Sequence, residues 1–196
     1  MTEWEKMLAG LPSDDRGEQL EQRRLVAKRL FREYNRTIEE DVEVRQEIMK
    51  KLFRSVGKNV FIEPDFICEF GCNITIGDNV FINFGCIIFD CGEVKIGDDT
   101  MFGPRIGIYT TNHAFDPNER IKNICISKPI TIGKRVWLGA DVKIVQGVTI
   151  GDDSVIGAGS VVTKDIPSGV IAVGNPCRVL RKITEKDKLL KDGWGV

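Results

Sequence analysis

From residue 76 onward an apolar side chain recurs at every sixth position. The series runs Ile76, Ile82 and Ile88, then after a two-residue slip Ile96, Phe102 and Ile108, then after an interruption Ile132, Leu138, Ile144, Ile150, Ile156 and Val162. Glycine follows the anchor directly at Gly77, Gly97, Gly103, Gly133, Gly139, Gly151 and Gly157. A helix repeats its apolar positions every three or four residues and a half-buried strand every two, so a period of six fits neither alone. The pattern predicts a solenoid in which each hexad is a short strand with a corner. Three hexads close a triangular coil, and coils stack by parallel pairing at ~4.8 Å. Four coils between Ile76 and Pro167 give a column roughly 20 Å tall, started by a looser coil over Val60–Thr75. A β-sandwich is the competing all-β reading, but its turns come every ~8 to 12 residues and do not match.

The interruption places eighteen extra residues, 114–131, between Ile108 and Ile132. Its segment Thr110–Arg120 is polar with one proline and reads as a loop thrown outward from the column, a place where function concentrates. Ahead of the column, residues 1–57 form a helical segment. Leu20, Leu25, Leu30, Phe31 and Tyr34 mark one helix over 16–34, with Ser13, Asp14 or Asp15 available as its cap. The pattern Thr37-x-x-Glu40 predicts the start of a second helix carrying Val44, Ile48, Leu52 and Phe53 toward the column. These helices are expected to cover an open end or flank of the column, which itself spans 58–180. Residues 181–196 read as a short helix over Thr184–Lys191 and a tail.

Composition narrows the function. With 28 basic and 29 acidic residues the net charge is -1, which removes the electrostatic footprint of a nucleic-acid binder. No apolar run approaches a membrane span, and Met1–Lys6 has no signal-peptide pattern, so the cytoplasm is the expected location. The six cysteines, at 68, 72, 86, 91, 125 and 177, show no zinc-knuckle spacing and are expected to be reduced and buried. There is one histidine, His113, at the root of the interruption. If an imidazole acts as general base here, it is this one.

The period, read as [Ile/Leu/Val]-Gly-x-x-x-x, resembles that of the hexapeptide-repeat acyltransferases. The segments Glu5–Gly10, Ala27–Asn35, Asn83-Phe84, Thr111-Asn112-His113, Pro129–Gly133 and Gly174–Val179 are similar to those of the maltose and galactoside O-acetyltransferases, the sugar and nodulation-factor branch. The resemblance implies a mainly β fold, a left-handed parallel β-helix with an N-terminal helical segment and a short C-terminal helix. It also implies acetyl transfer from acetyl-CoA to a sugar hydroxyl without a metal, by homotrimers whose sites lie between columns. By the same resemblance His113 is the base. Asn83, Asp15, Arg24 and Glu69 bind the acceptor, and Ala140, Ala158, Thr163, Lys164, Arg178 and Arg181 bind acetyl-CoA. The chain departs from the family pattern at Leu11-Pro12-Ser13, where an aromatic residue is common, and at Glu69, where serine or aspartate is usual. An antibiotic or amino acceptor and a noncatalytic scaffold are the alternatives. A carbonic anhydrase of the same solenoid type needs three histidines and is excluded by counting.

Overall fold

In a computed structural model, which describes residues 1–190, the hexads form a parallel β-helix with three faces. The first face stacks Ser55–Val56, Ile74–Ile76, Val94–Ile96, Ile130–Ile132 and Thr149–Ile150. The second stacks Phe61–Ile62, Phe81–Ile82, Met101–Phe102, Trp137–Leu138, Val155–Ile156 and Val170–Val173. The third stacks Ile67–Cys68, Ile87–Phe89, Gly107–Tyr109, Lys143–Val145 and Val161–Val162. Parallel pairing therefore begins at Ser55, ahead of Val60.

Register aligns the anchors vertically. Ile76, Ile96, Ile132 and Ile150 are partners on the first face. Ile82, Phe102, Leu138 and Ile156 are partners on the second, and Ile88, Ile108, Ile144 and Val162 on the third. None of the twelve is more than 3% exposed. The neighbours of the anchors point outward and give the faces different characters. The first shows Thr75, Lys95, Thr131 and Thr149; the second shows Phe61, Phe81, Met101 and Trp137. The glycine that follows seven of the twelve anchors has a steric cause. A Cβ on Gly97 would lie 2.6 Å from the Gly133 carbonyl carbon of the next coil, closer than stacked backbones allow.

The helical segment closes the lower end of the column. Helix α1 (Glu3–Leu8) begins with a capping box between Thr2 and Glu5, an element absent from the sequence expectations. Helix α2 (Glu18–Tyr34) starts at Gly17 without a side-chain cap, because Ser13 and Asp14 are used in a strand. Helix α3 (Val42–Leu52) starts after Asp41 rather than at Thr37. The Thr37 hydroxyl instead donates to the Tyr34 carbonyl at 2.7 Å and finishes α2. Ile48, Met49, Leu52 and Phe53 pack with Phe31 and Tyr34 against the first coil. Arg45, 4% exposed, donates to the Tyr34 hydroxyl at 2.8 Å and to the Ile62 carbonyl, satisfying backbone at the column's open end.

Two other expectations change. The interruption is a ribbon rather than a loop: strands Thr111–His113 and Ile124–Ser127 pair antiparallel, joined through the one-turn helix α4 (Pro117–Arg120). Ser13–Asp14 adds a third strand to it. At the upper end, Arg178–Lys182 returns antiparallel to Val170–Val173, and only a 3-10 turn, Glu185–Asp187, stands where a helix is expected. Thr184 and Asp187 cap that turn, and Leu189 beyond it is 94% exposed, so among the described residues no buried apolar contact extends it. Lys191 and the expected tail lie outside the described residues.

The anchor ladders predict a sharp contrast in equilibrium urea unfolding. Leu138→Ala, at a fully buried position, should lower stability by about 2–5 kcal/mol. Thr131→Ala, on the polar face, should cost less than about 0.5 kcal/mol. Comparable losses would contradict an interior built on the sixth-residue anchors.

Candidate active site

Successive coils share three edges, and two of them contain the candidate chemistry. The edge between the second and third faces follows Ile82, Phe102, Leu138 and Ile156. Asn83 stands there in the second coil, half-buried, its Oδ1 accepting from the Phe84 amide at 2.8 Å. The equivalent positions above it are Gly103, Gly139 and Gly157, each bonded through its amide to the coil above. With Ala140 and the exposed Ala158 following two of them, the small residues leave a shallow track up this edge. Arg105 borders it, its Nε donating to Asp141 at 3.0 Å, a pair sequence reasoning did not single out.

The edge between the third and first faces holds the His113 ribbon. There Ser13, Cys125 and His113 are cross-strand neighbours, Ser13 pairing with Cys125 and Cys125 with His113. Directly paired residues share one side of a sheet. Ser13 and Cys125 are buried at 2% and 5% exposure, Oγ and Sγ 3.9 Å apart, while His113 is exposed on the outer strand. The histidine thus sits on a braced backbone with its ring open to solvent.

Three acceptor candidates gather on this same edge. The Glu69 carboxylate accepts from Arg24 Nε, and Arg24 Nη1 donates to the Asp15 carbonyl at 2.8 Å. The Asp15 amide donates to the Asn123 carbonyl of the ribbon at 3.3 Å. Both partners of the Arg24–Glu69 pair are largely buried, with 19% and 12% of their side chains exposed. The charged run of α2 is therefore more than a solvated face. Arg24 also lies 5.3 Å over the Phe70 ring, and Arg23 lies 4.1 Å over Trp4. The structure joins Asp15, Arg24 and Glu69 to the His113 ribbon. It places Asn83 on the neighbouring edge, with the third face between them.

Donor candidates divide in the same way. Ala140 and Ala158 belong to the Asn83 edge. Thr163 and Lys164, both exposed, follow Val162 on the ribbon's edge two coils above its root. Arg178 and Arg181 lie on the final returning strand. Arg178 Nη1 donates to the Cys177 carbonyl at 2.8 Å. Arg181 already grips Asp187 through two bonds of 2.7 and 2.6 Å, and that guanidinium holds the Asp187 carboxyl well below the usual carboxylate range.

Cysteine chemistry finds no support. All six are free thiols, five of them buried. Burial pushes each of them up, Cys86 to about 11, the reverse of what activates a nucleophile. The buried carboxylate of Asp90 was also missed from sequence. Desolvation pushes it up to about 6, opposed by backbone donors including those of Phe70, Gly71 and Asn73. A strand signal for the ribbon was present in Ile124-Cys125-Ile126-Ser127, whose alternation matches the observed half-buried and buried positions.

Known proteins resemble this chain in sequence and fold. Residues 6–57 match the maltose acetyltransferase hexapeptide capping motif, and residues 129–164 match the bacterial transferase hexapeptide repeats. The chain is 44% identical to the galactoside O-acetyltransferase of Escherichia coli K12 over 184 residues, 94% of this chain and 91% of that one. It superposes on a maltose O-acetyltransferase from Clostridium difficile 630 with a TM-score of 0.92, at 47% identity, covering 94% of this chain and 99% of the other. A galactoside acetyltransferase in complex with coenzyme A gives a TM-score of 0.92 at 43% identity, covering 98% and 97%. The repeats, the capping helices and these relatives together establish that the chain belongs to the maltose and galactoside O-acetyltransferase family of hexapeptide-repeat acyltransferases.

Proposed function

We propose that this protein moves an acetyl group from acetyl-CoA to the 6-hydroxyl of a glucosyl or galactosyl sugar, with His113 as general base. The observation that supports this reading best is the convergence of Asp15, Arg24 and Glu69 with the His113 ribbon on one edge. Carboxylates, a guanidinium and a backbone carbonyl suit the hydroxyls of a sugar. In the reaction the imidazole takes the hydroxyl proton as the oxygen attacks the thioester carbonyl carbon. The carbon–sulfur bond then breaks, and the proton passes from the imidazolium to the departing thiolate. The products are the acetyl ester and free coenzyme A, with no covalent enzyme intermediate. A positioned base contributes ~10² to 10⁴ in rate.

The donor reading rests on the small-residue track of Ala140 and Ala158, with Thr163, Lys164, Arg178 and Arg181 toward the column's upper end, where cationic groups suit phosphates. Arg181 would have to exchange Asp187 for phosphate oxygens. The proposed location of the reaction is the cytoplasm.

Asn83 and His113 occupy different edges of one column, so a site that uses both is built by two chains. A homotrimer with its third faces turned toward a common axis sets the Asn83 edge of one chain against the ribbon of the next. A closed ring of three such heterologous contacts is the geometry cyclic symmetry provides.

These proposals have direct tests in a free-thiol assay with acetyl-CoA and a panel of sugars. His113→Ala should lose at least ~10²-fold in turnover; near-normal turnover removes the base assignment. A 6-deoxy analogue of an accepted sugar should release no thiol. Mixed trimers refolded from equal amounts of inactive His113→Ala and Asn83→Ala chains should regain about a quarter of wild-type activity, because one contact in four then pairs an intact Asn83 with an intact His113. No recovery on mixing would argue for a site contained in one chain.

A further inference from the structure

Asp90 is fully buried at the end of the second coil's third-face strand, beside the root of the ribbon. The Thr110 amide donates to the Phe89 carbonyl at 3.2 Å, next to it. The Asp90 carboxylate reaches down to the corner of the coil below. Its Oδ1 accepts from the Glu69 and Phe70 amides at 3.0 and 2.8 Å, and its Oδ2 from the Asn73 amide at 3.2 Å. Asn73 Nδ2 returns a bond to the Asp90 carbonyl at 2.8 Å.

Burying a carboxylate is expensive: Asp78, Asp98 and Asp152 also accept amides at corners but none of them is buried, and the buried side chains that close other corners are neutral hydroxyls. Thr100 donates to the Gly133 carbonyl, Ser154 to Pro167 and Ser160 to Gly157. A hydroxyl has neither the reach nor the acceptor count to hold three amides at once. Two of those amides belong to Glu69 and Phe70, the residues that hold Arg24: one through its carboxylate, the other through its ring. Arg24 in turn holds the Asp15 carbonyl, and the Asp15 amide is bonded to the ribbon.

We propose that Asp90 is a positioning residue for the acceptor, its carboxylate fixing the Glu69–Asn73 corner and thereby the Glu69–Arg24–Asp15 chain of contacts against the His113 ribbon. This inference rests on the acetyl-transfer reading above and adds to it a residue that touches neither substrate. The donor track lies on the other edge and is independent of this network.

The test is a coupling measurement, since contiguity alone does not show that residues act together. With acetyl-CoA and maltose or a methyl galactoside, Asp90→Asn should raise the acceptor KM by about tenfold or more and leave the acetyl-CoA KM within about twofold. In a Glu69→Ala background, where the side chain that accepts from Arg24 is gone, the same substitution should change the acceptor KM by less than about threefold. An equal effect in both backgrounds, or donor and acceptor KM rising together, would show a merely structural carboxylate and overturn the proposal. Hydrogen exchange supplies a readout that does not depend on turnover. In Asp90→Asn the Asp15 amide should exchange at least about tenfold faster while Val155 and Ile156 keep their protection; unchanged exchange at Asp15 overturns the inference even if wild-type protein acetylates no sugar. Asp90→Glu, which keeps the charge and displaces it by one methylene, takes the place of Asp90→Asn if that variant does not accumulate, with the same expectations.

Discussion

Coil-to-coil hydrogen bonding is the constraint on which the rest of this molecule depends. Each coil offers its amides to the carbonyls of the next: Gly77 to Ile96, Gly97 to Ile132, Gly133 to Ile150. The column can therefore end only where something else answers the last row, as Arg45 and the Tyr34 hydroxyl do below. It can be interrupted only at a corner, where chain can leave and return without unpairing a strand. The His113 ribbon leaves at such a corner, after Thr110, and re-enters through Lys128, whose amide donates back to the Thr110 carbonyl at 2.8 Å. The same stacking removes side chains from the corners, since added bulk meets the backbone of the neighbouring coil. Small residues on the Asn83 edge and a long excursion on the next edge are two outcomes of one packing rule.

That rule explains what could be read from the sequence. The anchors and the glycines after them answer to a local repeat, so the faces, the number of coils above Ile76 and the interior were all legible. Contacts between segments distant in sequence leave no such periodic trace. Ser13 and Cys125 are 112 positions apart, and Arg24 and Glu69 are 45 apart. Nothing near Ser13-Asp14 in the chain announces a strand, because its partner is supplied by the ribbon. Thr37-x-x-Glu40 has the spacing of a helix start, yet the Thr37 hydroxyl finds the free carbonyl of Tyr34 first. Asp90 carries no signal of its own in the sequence because its three donors belong to the preceding coil.

The candidate site was legible in its residue types and not in their grouping. His113 stood out as the single imidazole, and the family resemblance supplied Asn83, Asp15, Arg24 and Glu69. Only the fold shows that the first, third, fourth and fifth of these share an edge while Asn83 stands apart. The N-terminal arm thereby acquires a purpose beyond covering apolar surface: it braces Ile124–Ser127, the strand on which the imidazole's own strand is paired.

The fixed rise per coil gives the column a further property. The ribbon leaves from the third coil, and Thr163 and Lys164 follow the fifth, so the imidazole root and the cationic end are separated vertically by about 10 Å. The solenoid is thus a ruler graduated in steps of about 5 Å. With the roles proposed for His113 and Lys164, lengthening or shortening a carrier's arm is matched only by gaining or losing a whole rung, which makes the spacing between reacting group and anchor a quantised quantity.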